Sequence, residues 1–279
     1  MQTIKLTLAY DGTDFSGWQT QPGQPTIQSA LTEVIEKVTE ERLTIHAAGR
    51  TDAGVHALGQ VAHFRTNSRL SPEEFQRALN ALLPREIRVV CAQAAAPDFH
   101  ARWHALGKTY CYRFYRARVL PPFLWRYVLH DPFPLDFAAM REAAMLIEGT
   151  HDFTSFAAST GSDEDDRDRT VERTIFRAEV LRGDDETLPA AAFSALGIAR
   201  PGPEEWVFMV RGRSFLRYMV RKLAGTLVDV GRGRLTPADI TDLFALRDRT
   251  RSGPTLPPQG LFLISVEYPD PAASLEPAA

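Results

Sequence analysis

Along Ile4 to Tyr10 apolar and polar residues alternate, with Ile4, Leu6, Leu8 and Tyr10 on one side and Lys5, Thr7 and Ala9 on the other. That period belongs to a strand with one buried face. Asp11-Gly12-Thr13 turns the chain, and Phe15 and Trp18 in the following F-S-G-W-Q are placed to cap the core. The spacing then changes to that of an amphipathic helix over 26–40, carried by Ile27, Ala30, Leu31, Val34, Ile35 and Val38 with Pro25 near its start. Leu43 to Ala48 and Gln60 to Arg65 read as strands on either side of a loop. Ser71-Pro72-Glu73-Glu74 is a capping box with proline at the first helical position, and Phe75, Ala78, Leu79 and Leu82 form the helix's apolar face.

Ile87 to Gln93 and Lys108 to Val119 are the next strands; the second alternates Tyr110, Tyr112 and Phe114 with Cys111, Arg113 and Tyr115. Leu120-Pro121-Pro122 and His130-Asp131-Pro132 break any regular element and mark a boundary between halves. Asp136 caps a helix with Phe137, Met140, Ala143, Ala144 and Ile147, and Gly149 lies just beyond it. Residues 157–170 are Ser, Gly and acid, and 183–205 is a polar stretch without period that resembles an insertion. Strands are expected over Val171 to Leu181, Trp206 to Val210 and Gln259 to Tyr268. A helix is expected from Ser214 to about Val230, with Phe215, Met219, Leu223, Leu227 and Val230 facing inward and Arg217 and Arg221 on another face with Gly225. Thr236-Pro237 opens a last helix through Ile240, Leu243 and Phe244. The domains read as 1–119 and 120–268, with 269–279 a disordered tail. Strands and helices in similar proportion in each half predict an α+β protein with a mixed, largely antiparallel sheet. No repeat by residue identity is visible.

Composition narrows the function classes. An apolar fraction of 44% and a charged fraction of 24% over 279 residues are those of a globular protein large enough for two subdomains. No run is long enough to span a bilayer and the start has no signal-peptide pattern, so a cytoplasmic location is expected. Cys91 and Cys111 lie in strand-like segments without C-x-x-C spacing and read as reduced packing thiols. The net charge of -3 does not mark a nucleic-acid binder, but its distribution is uneven. Val210 to Arg251 carries ten Lys or Arg against four Asp or Glu, whereas Asp163 to Asp168 holds five acids and Arg167. A basic face beside an acidic segment suits phosphate binding on one side of the molecule.

The densest chemistry lies between the third and fourth predicted elements, in G-R-T-D-A-G-V-H-A at Gly49 to Ala57. Gly49 and Gly54 allow positive φ or a close approach, holding Arg50, Thr51 and Asp52 in a fixed array. A plain turn, with Asp52 or Thr51 bonded to a nearby amide, is the ordinary alternative. His100 and His104 are four apart like helix-borne metal ligands, but no glutamate follows the first and the flanks are not helical.

Seven segments, in this order, carry a resemblance: Y-D-G-T-D-F-S-G-W-Q-T-Q at Tyr10 to Gln21, G-R-T-D-A-G-V-H-A, D-F-H-A-R at Asp98 to Arg102, K-T-Y-C-Y-R at Lys108 to Arg113, H-D-F-T-S-F at His151 to Phe156, F-L-R-Y-M-V-R at Phe215 to Arg221, and Q-G-L-F-L at Gln259 to Leu263. Through them the chain resembles the tRNA pseudouridine synthases of the TruA type over most of 1–268. The resemblance implies two ferredoxin-like halves with the active cleft between them, a homodimer, no cofactor and no metal. It implies isomerisation of uridine to pseudouridine at positions 38, 39 and 40 of the tRNA anticodon stem-loop. Asp52 matches the catalytic aspartate, as nucleophile or base. Arg221 matches the arginine paired with it, Arg50 the one that stabilises the flipped-out nucleotide, and Tyr110 the tyrosine that stacks on the target uracil. Two departures stand out. Tyr218 and Lys222 occupy positions where the family often has His and Asn, which touches substrate contacts rather than chemistry, and the acidic run from Asp163 is unusual beside an RNA cleft. The rival readings are a non-catalytic RNA-binding module of the same fold and a metal-dependent hydrolase using Asp52, His56 and His63.

Overall fold

In the computed structural model, which describes residues 1–158, 170–188, 193 and 200–269, the chain is an α+β protein of mixed, largely antiparallel strands flanked by helices. It divides into two units, Met1–Lys108 with the chain from Leu263 onward, and Thr109–Phe262. The acidic run at 163–168, residues 189–192 and 194–199 of the 183–205 stretch, and the tail beyond 269 lie outside the described residues.

The first unit opens with β1 (Gln2–Tyr10), α1 (Ile27–Thr39), β2 (His46–Ala47), β3 (His56–Thr66), α2 (Pro72–Leu82) and β4 (Ile87–Ala95). β3 pairs antiparallel with both β1 and β2, and β1 pairs antiparallel with β4, so the spatial order is β4-β1-β3-β2. The predicted alternation holds: Ile4, Leu6, Leu8 and Tyr10 are buried. The predicted helical stripe holds as well, with Ile27, Leu31 and Ile35 buried on α1. Ser71 and Glu74 form the expected capping box on α2, where Phe75 meets Phe64 edge to face. The strand expected over Leu43 to Ala48 contracts to two residues, because the chain bends at Ala48 to enter the loop.

The opposite face of this sheet carries a row of polar side chains in register, His46 and His63 across β2 and β3, then Lys5 and Gln93 across β1 and β4. Segment 96–106 and Tyr268 cover it. Phe99, Val266 and Tyr268 pack on Ala48, Val61 and Ala101, and the Tyr268 hydroxyl donates to the Ala101 carbonyl at 2.6 Å. The Lys5 ammonium lies 4.5 Å from the Tyr268 ring centre, and its burial lowers its pKa. His63 is 2% exposed, and its Nδ1 accepts the Ala101 N–H at 3.2 Å.

The second unit contains β5 (Gly107–Tyr115, entering this unit at Thr109), β6 (Leu129–His130), α3 (Phe137–Met145), β7 (Gly149–Asp152), β8 (Glu172–Arg182), β9 (Glu205–Gly212), α4 (Met219–Gly231) and α5 (Asp239–Leu246). Its strands run in the order β5-β9-β8-β7, with β6 parallel to β5. Arg113 on β5 and Glu205 on β9 form a buried two-pronged ion pair at 2.8 and 2.9 Å. The Asp136 carboxylate accepts the Ala139 N–H and caps α3, which packs on β8 and α4. β5 ends at Tyr115 rather than Val119. α4 begins at Met219 rather than Ser214, because Tyr218 sits in the left-handed region at φ 62° and no helix can run through it. β10 (Leu261–Glu267) then returns the chain to the first unit beside β3. Cys91 and Cys111 are both free, and burial pushes the Cys111 thiol up to about 12, as befits packing thiols.

Burial and the neighbouring imidazoles of His100 and His46 push the His63 pKa down to about 4, with Arg65 adding to the effect. The unfolded chain binds that proton near 6.5 and the folded chain only near 4. The contribution is therefore complete above pH 6.5 and is lost as pH falls toward 4. Urea unfolding at pH 7.5 and pH 5 is expected to show a lower midpoint at pH 5, with a smaller difference in His63→Gln; equal differences in the two proteins would remove His63 as the cause.

Candidate active site

The Gly49 to Val55 loop joins β2 to β3, and the first unit braces it from two directions. From below, the buried Gln60 side chain donates to the Gly49 carbonyl at 2.9 Å, and it also reaches the Tyr10 hydroxyl at 3.4 Å. That hydroxyl is hydrogen-bonded to Thr51 Oγ1 at 2.8 Å. Burial pushes the Tyr10 phenol up to about 12, so it stays protonated and able to take part in this bond at neutral pH. From the side, the β1–α1 connection lies against the loop: the Trp18 N–H donates to the Thr51 carbonyl and the Gly54 N–H to the Phe15 carbonyl.

This close approach depends on two glycines. A Cβ at Gly12 would stand 2.0 Å from the Val55 carbonyl oxygen, and one at Gly17, where φ is +88°, would stand 2.7 Å from the Thr51 carbonyl oxygen. The Asp52 carbonyl accepts the Val55 N–H, and Gly54 at φ +76° makes the third residue of that turn. Gly54 thus has the positive φ that the sequence suggests. Gly49 does not; its bare Cα instead makes room for Lys108, whose Nζ would be 2.9 Å from a Cβ there. Lys108 is buried, so an ammonium sits beside the start of the loop. In this frame Thr51 is buried, Asp52 half-buried and Arg50 exposed. A carboxylate at the rim of a braced loop can meet a substrate. His56 is buried and its Nδ1 accepts the Gly12 N–H at 3.2 Å, while His63 faces the far side of the sheet and bonds Ala101. Both imidazoles are therefore occupied in structural bonds, which disfavours the hydrolase reading.

In the second unit, Tyr110 on β5 is 7% exposed, and its ring meets Phe215 edge to face at 5.0 Å. Arg221, in the first turn of α4, donates from Nε to the Leu256 carbonyl at 2.6 Å, and the Leu256 N–H returns a bond to the Arg221 carbonyl. Its guanidinium lies 5.0 Å from the Tyr218 ring centre, as does that of Arg217, so the left-handed tyrosine sits against two cations. The segment that holds Arg221 comes close because Gly225 and Gly253 meet; a Cβ at Gly225 would be 1.9 Å from the Pro254 carbonyl oxygen. A glycine inside a helix costs about 1 kcal/mol against alanine, and here that contact is what it permits. Lys222 donates to the Arg249 and Gly253 carbonyls at 2.8 and 3.4 Å. Burial first, and Arg249 second, lower its pKa.

Asp52 and Arg50 thus belong to the first unit, and Tyr110 and Arg221 to the second. Sequence reasoning passed over Tyr10, Gln60, Lys108 and Leu256. Only the position of the first three inside the recurring segments, or beside them, could have flagged them. Among the described residues no group of three or more His, Cys, Asp or Glu is arranged to hold a metal ion, and no helix is long and apolar enough to cross a membrane.

Comparison with known proteins shows the family to which the chain belongs. The family model described as tRNA pseudouridine synthase matches residues 7–104 and 143–269, and the chain belongs to that family of isomerases. Among curated relatives, the proteins called tRNA pseudouridine synthase A from Solibacter usitatus and from Geobacillus sp. strain WCH70 are each 44% identical. The alignments cover 96% and 95% of this chain and 100% and 98% of those proteins. The relative of the same name from Geobacillus kaustophilus is 43% identical over 96% of this chain and 95% of its own. A crystal structure of a Cbf5-Nop10-Gar1 complex aligns over 81% of this chain and 54% of that chain, with TM-score 0.30 and 13% identity, too slight a likeness to bear on the fold.

Gly17→Ala is expected to destabilise the protein by about 1–3 kcal/mol in urea unfolding, because it adds both a strained φ and a backbone clash. Tyr10→Phe removes the hydroxyl's bonds to Thr51 and Gln60, the second a long one, and is expected to lower turnover roughly ten-fold while costing about 1–2 kcal/mol of stability. An unaltered turnover would show that Thr51 needs no such support.

Proposed function

We propose that this protein converts uridine to pseudouridine at positions 38, 39 and 40 of the tRNA anticodon stem-loop. The observation that carries the reading is the fixing of Asp52 in a loop whose backbone is tied at Gly49, Thr51, Gly54 and Val55, in a chain of the pseudouridine synthase family. The reaction breaks the N1–C1′ bond, turns the uracil and joins C5 to C1′; C5 gives up its proton to solvent and N1 takes one up, so product and substrate are isomers. It needs neither an oxidant nor water as reactant. What it needs is an ionised carboxylate beside sugar and base, acting as nucleophile or base.

Asp52 supplies that carboxylate. Arg221 pairs with it in our reading, keeping it charged and aimed as the pocket excludes water; the Nε bond to Leu256, which holds the side chain in place, supports this. Arg50, exposed at the loop's edge, enters the RNA and stabilises the everted nucleotide. Tyr110, steadied by Phe215, stacks on the uracil. We further propose that the two units are ferredoxin-like halves with the active cleft between them. The order β4-β1-β3-β2 in one unit, and β9 lying between β5 and β8 in the other, support that reading. Recognition then rests on the shape and backbone of the stem-loop. A cytoplasmic homodimer belongs to the same proposal; the exposed Phe123, Trp125 and Phe133 offer apolar surface for it.

Release of tritium from C5-labelled uridine in tRNA, without added metal, is the measurement. Asp52→Ala is expected to abolish release and Tyr110→Ala to reduce it strongly; an active Asp52→Ala protein would discard the mechanism. For Arg221→Ala a large fall in turnover with a small change in tRNA affinity is expected, whereas equal losses in both would make it a phosphate anchor.

A further inference from the structure

On the covered face of the first unit the rings of His46, His63 and His100 lie against one another, with centroids 4.8 to 5.1 Å apart. The outermost ring belongs to Trp103, which lies nearly parallel to His100 at 4.0 Å and 11°. One face of that indole rests on protein, yet the residue is 77% exposed. Its support is rigid, since His100 Nδ1 accepts the N–H groups of Arg102 and Trp103 at 3.2 and 3.4 Å, and His104 Nδ1 accepts the N–H of His100. These bonds leave the imidazoles as neutral ring surface rather than ligands, and burial lowers the His100 pKa in the same direction. Arg65 and Arg102 both lie close enough to act electrostatically on His100, and Arg102 precedes Trp103 in the chain.

A flat aromatic face fixed in orientation, open to solvent and with guanidinium groups nearby matches a base together with its phosphates. It is also close to the chemistry. His46 precedes Gly49 by three residues, a span of no more than about 11 Å. Resting on the reading that RNA is the substrate, we propose that Trp103 is a stacking platform for an unpaired base of the strand flanking the reacting uridine, with Arg65 and Arg102 meeting the adjacent phosphates.

The test is binding of an unmodified full-length tRNA transcript by filter retention, alongside tritium release. Trp103→Ala is expected to weaken binding roughly ten-fold and Trp103→Phe to recover most of the loss. Arg65→Ala is expected to reduce the slope of log affinity against log salt by about one. Because the indole is so exposed, Trp103→Ala should melt at the temperature of the parent, and the phenylalanine variant keeps the comparison valid if it does not. Parental affinity in Trp103→Ala would overturn the proposal. So would a shift in sedimentation showing that the indole joins two copies of the chain, with RNA binding following the oligomer. Failure of the platform alone leaves tritium release by the parent protein intact, which separates it from failure of the proposed reaction.

Discussion

Two buried side chains, Tyr10 and Gln60, determine where the aspartate loop stands. Both project from neighbouring strands of one antiparallel pair, and their bonds to Thr51 and to the Gly49 carbonyl convert strand register into loop position. A loop without such ties would sample many conformations, each residue costing about 1–2 kcal/mol to fix. Here that ordering is achieved when the sheet folds, before any RNA arrives. The two close glycine contacts complete the arrangement by letting a second backbone serve as wall.

The second unit solves the same problem by different means. The helix that carries Arg221 starts just before it because Tyr218 adopts a left-handed conformation, and the side chain is held because Leu256 is drawn in through the Gly225–Gly253 contact. Non-glycine residues pay about 1 kcal/mol or more for that conformation. The ring that results lies against Arg217 and Arg221, so a strained backbone and a guided cation occur together.

Much of this was legible in the sequence. Alternation from Ile4 to Tyr10, the helical stripe of α1 and the Ser71 capping box each follow from local periodicity, which depends on nearby residues alone. The loop with Asp52 was legible from its crowding of glycine and charge, and the family from the company of six other segments. Tyr10 was not, because a tyrosine at the buried register of a strand reads as core until its hydroxyl's partner, 41 residues away, is seen. Tyr218 misled the helix boundary, since apolar spacing continues through Phe215 and no glycine or proline marks the stop.

The return of β10 to β3 has a bearing on biosynthesis. The aspartate loop, its braces and nearly all of its sheet are made first, yet the last partner of β3 emerges only after the entire second unit has been synthesised. Until then one edge of β3 has no neighbouring strand beyond two-residue β2, an open template for pairing with other nascent chains. The order of translation thus lets the arginine-bearing unit mature first, and the enzyme's most delicate loop is the part that waits longest for its final strand.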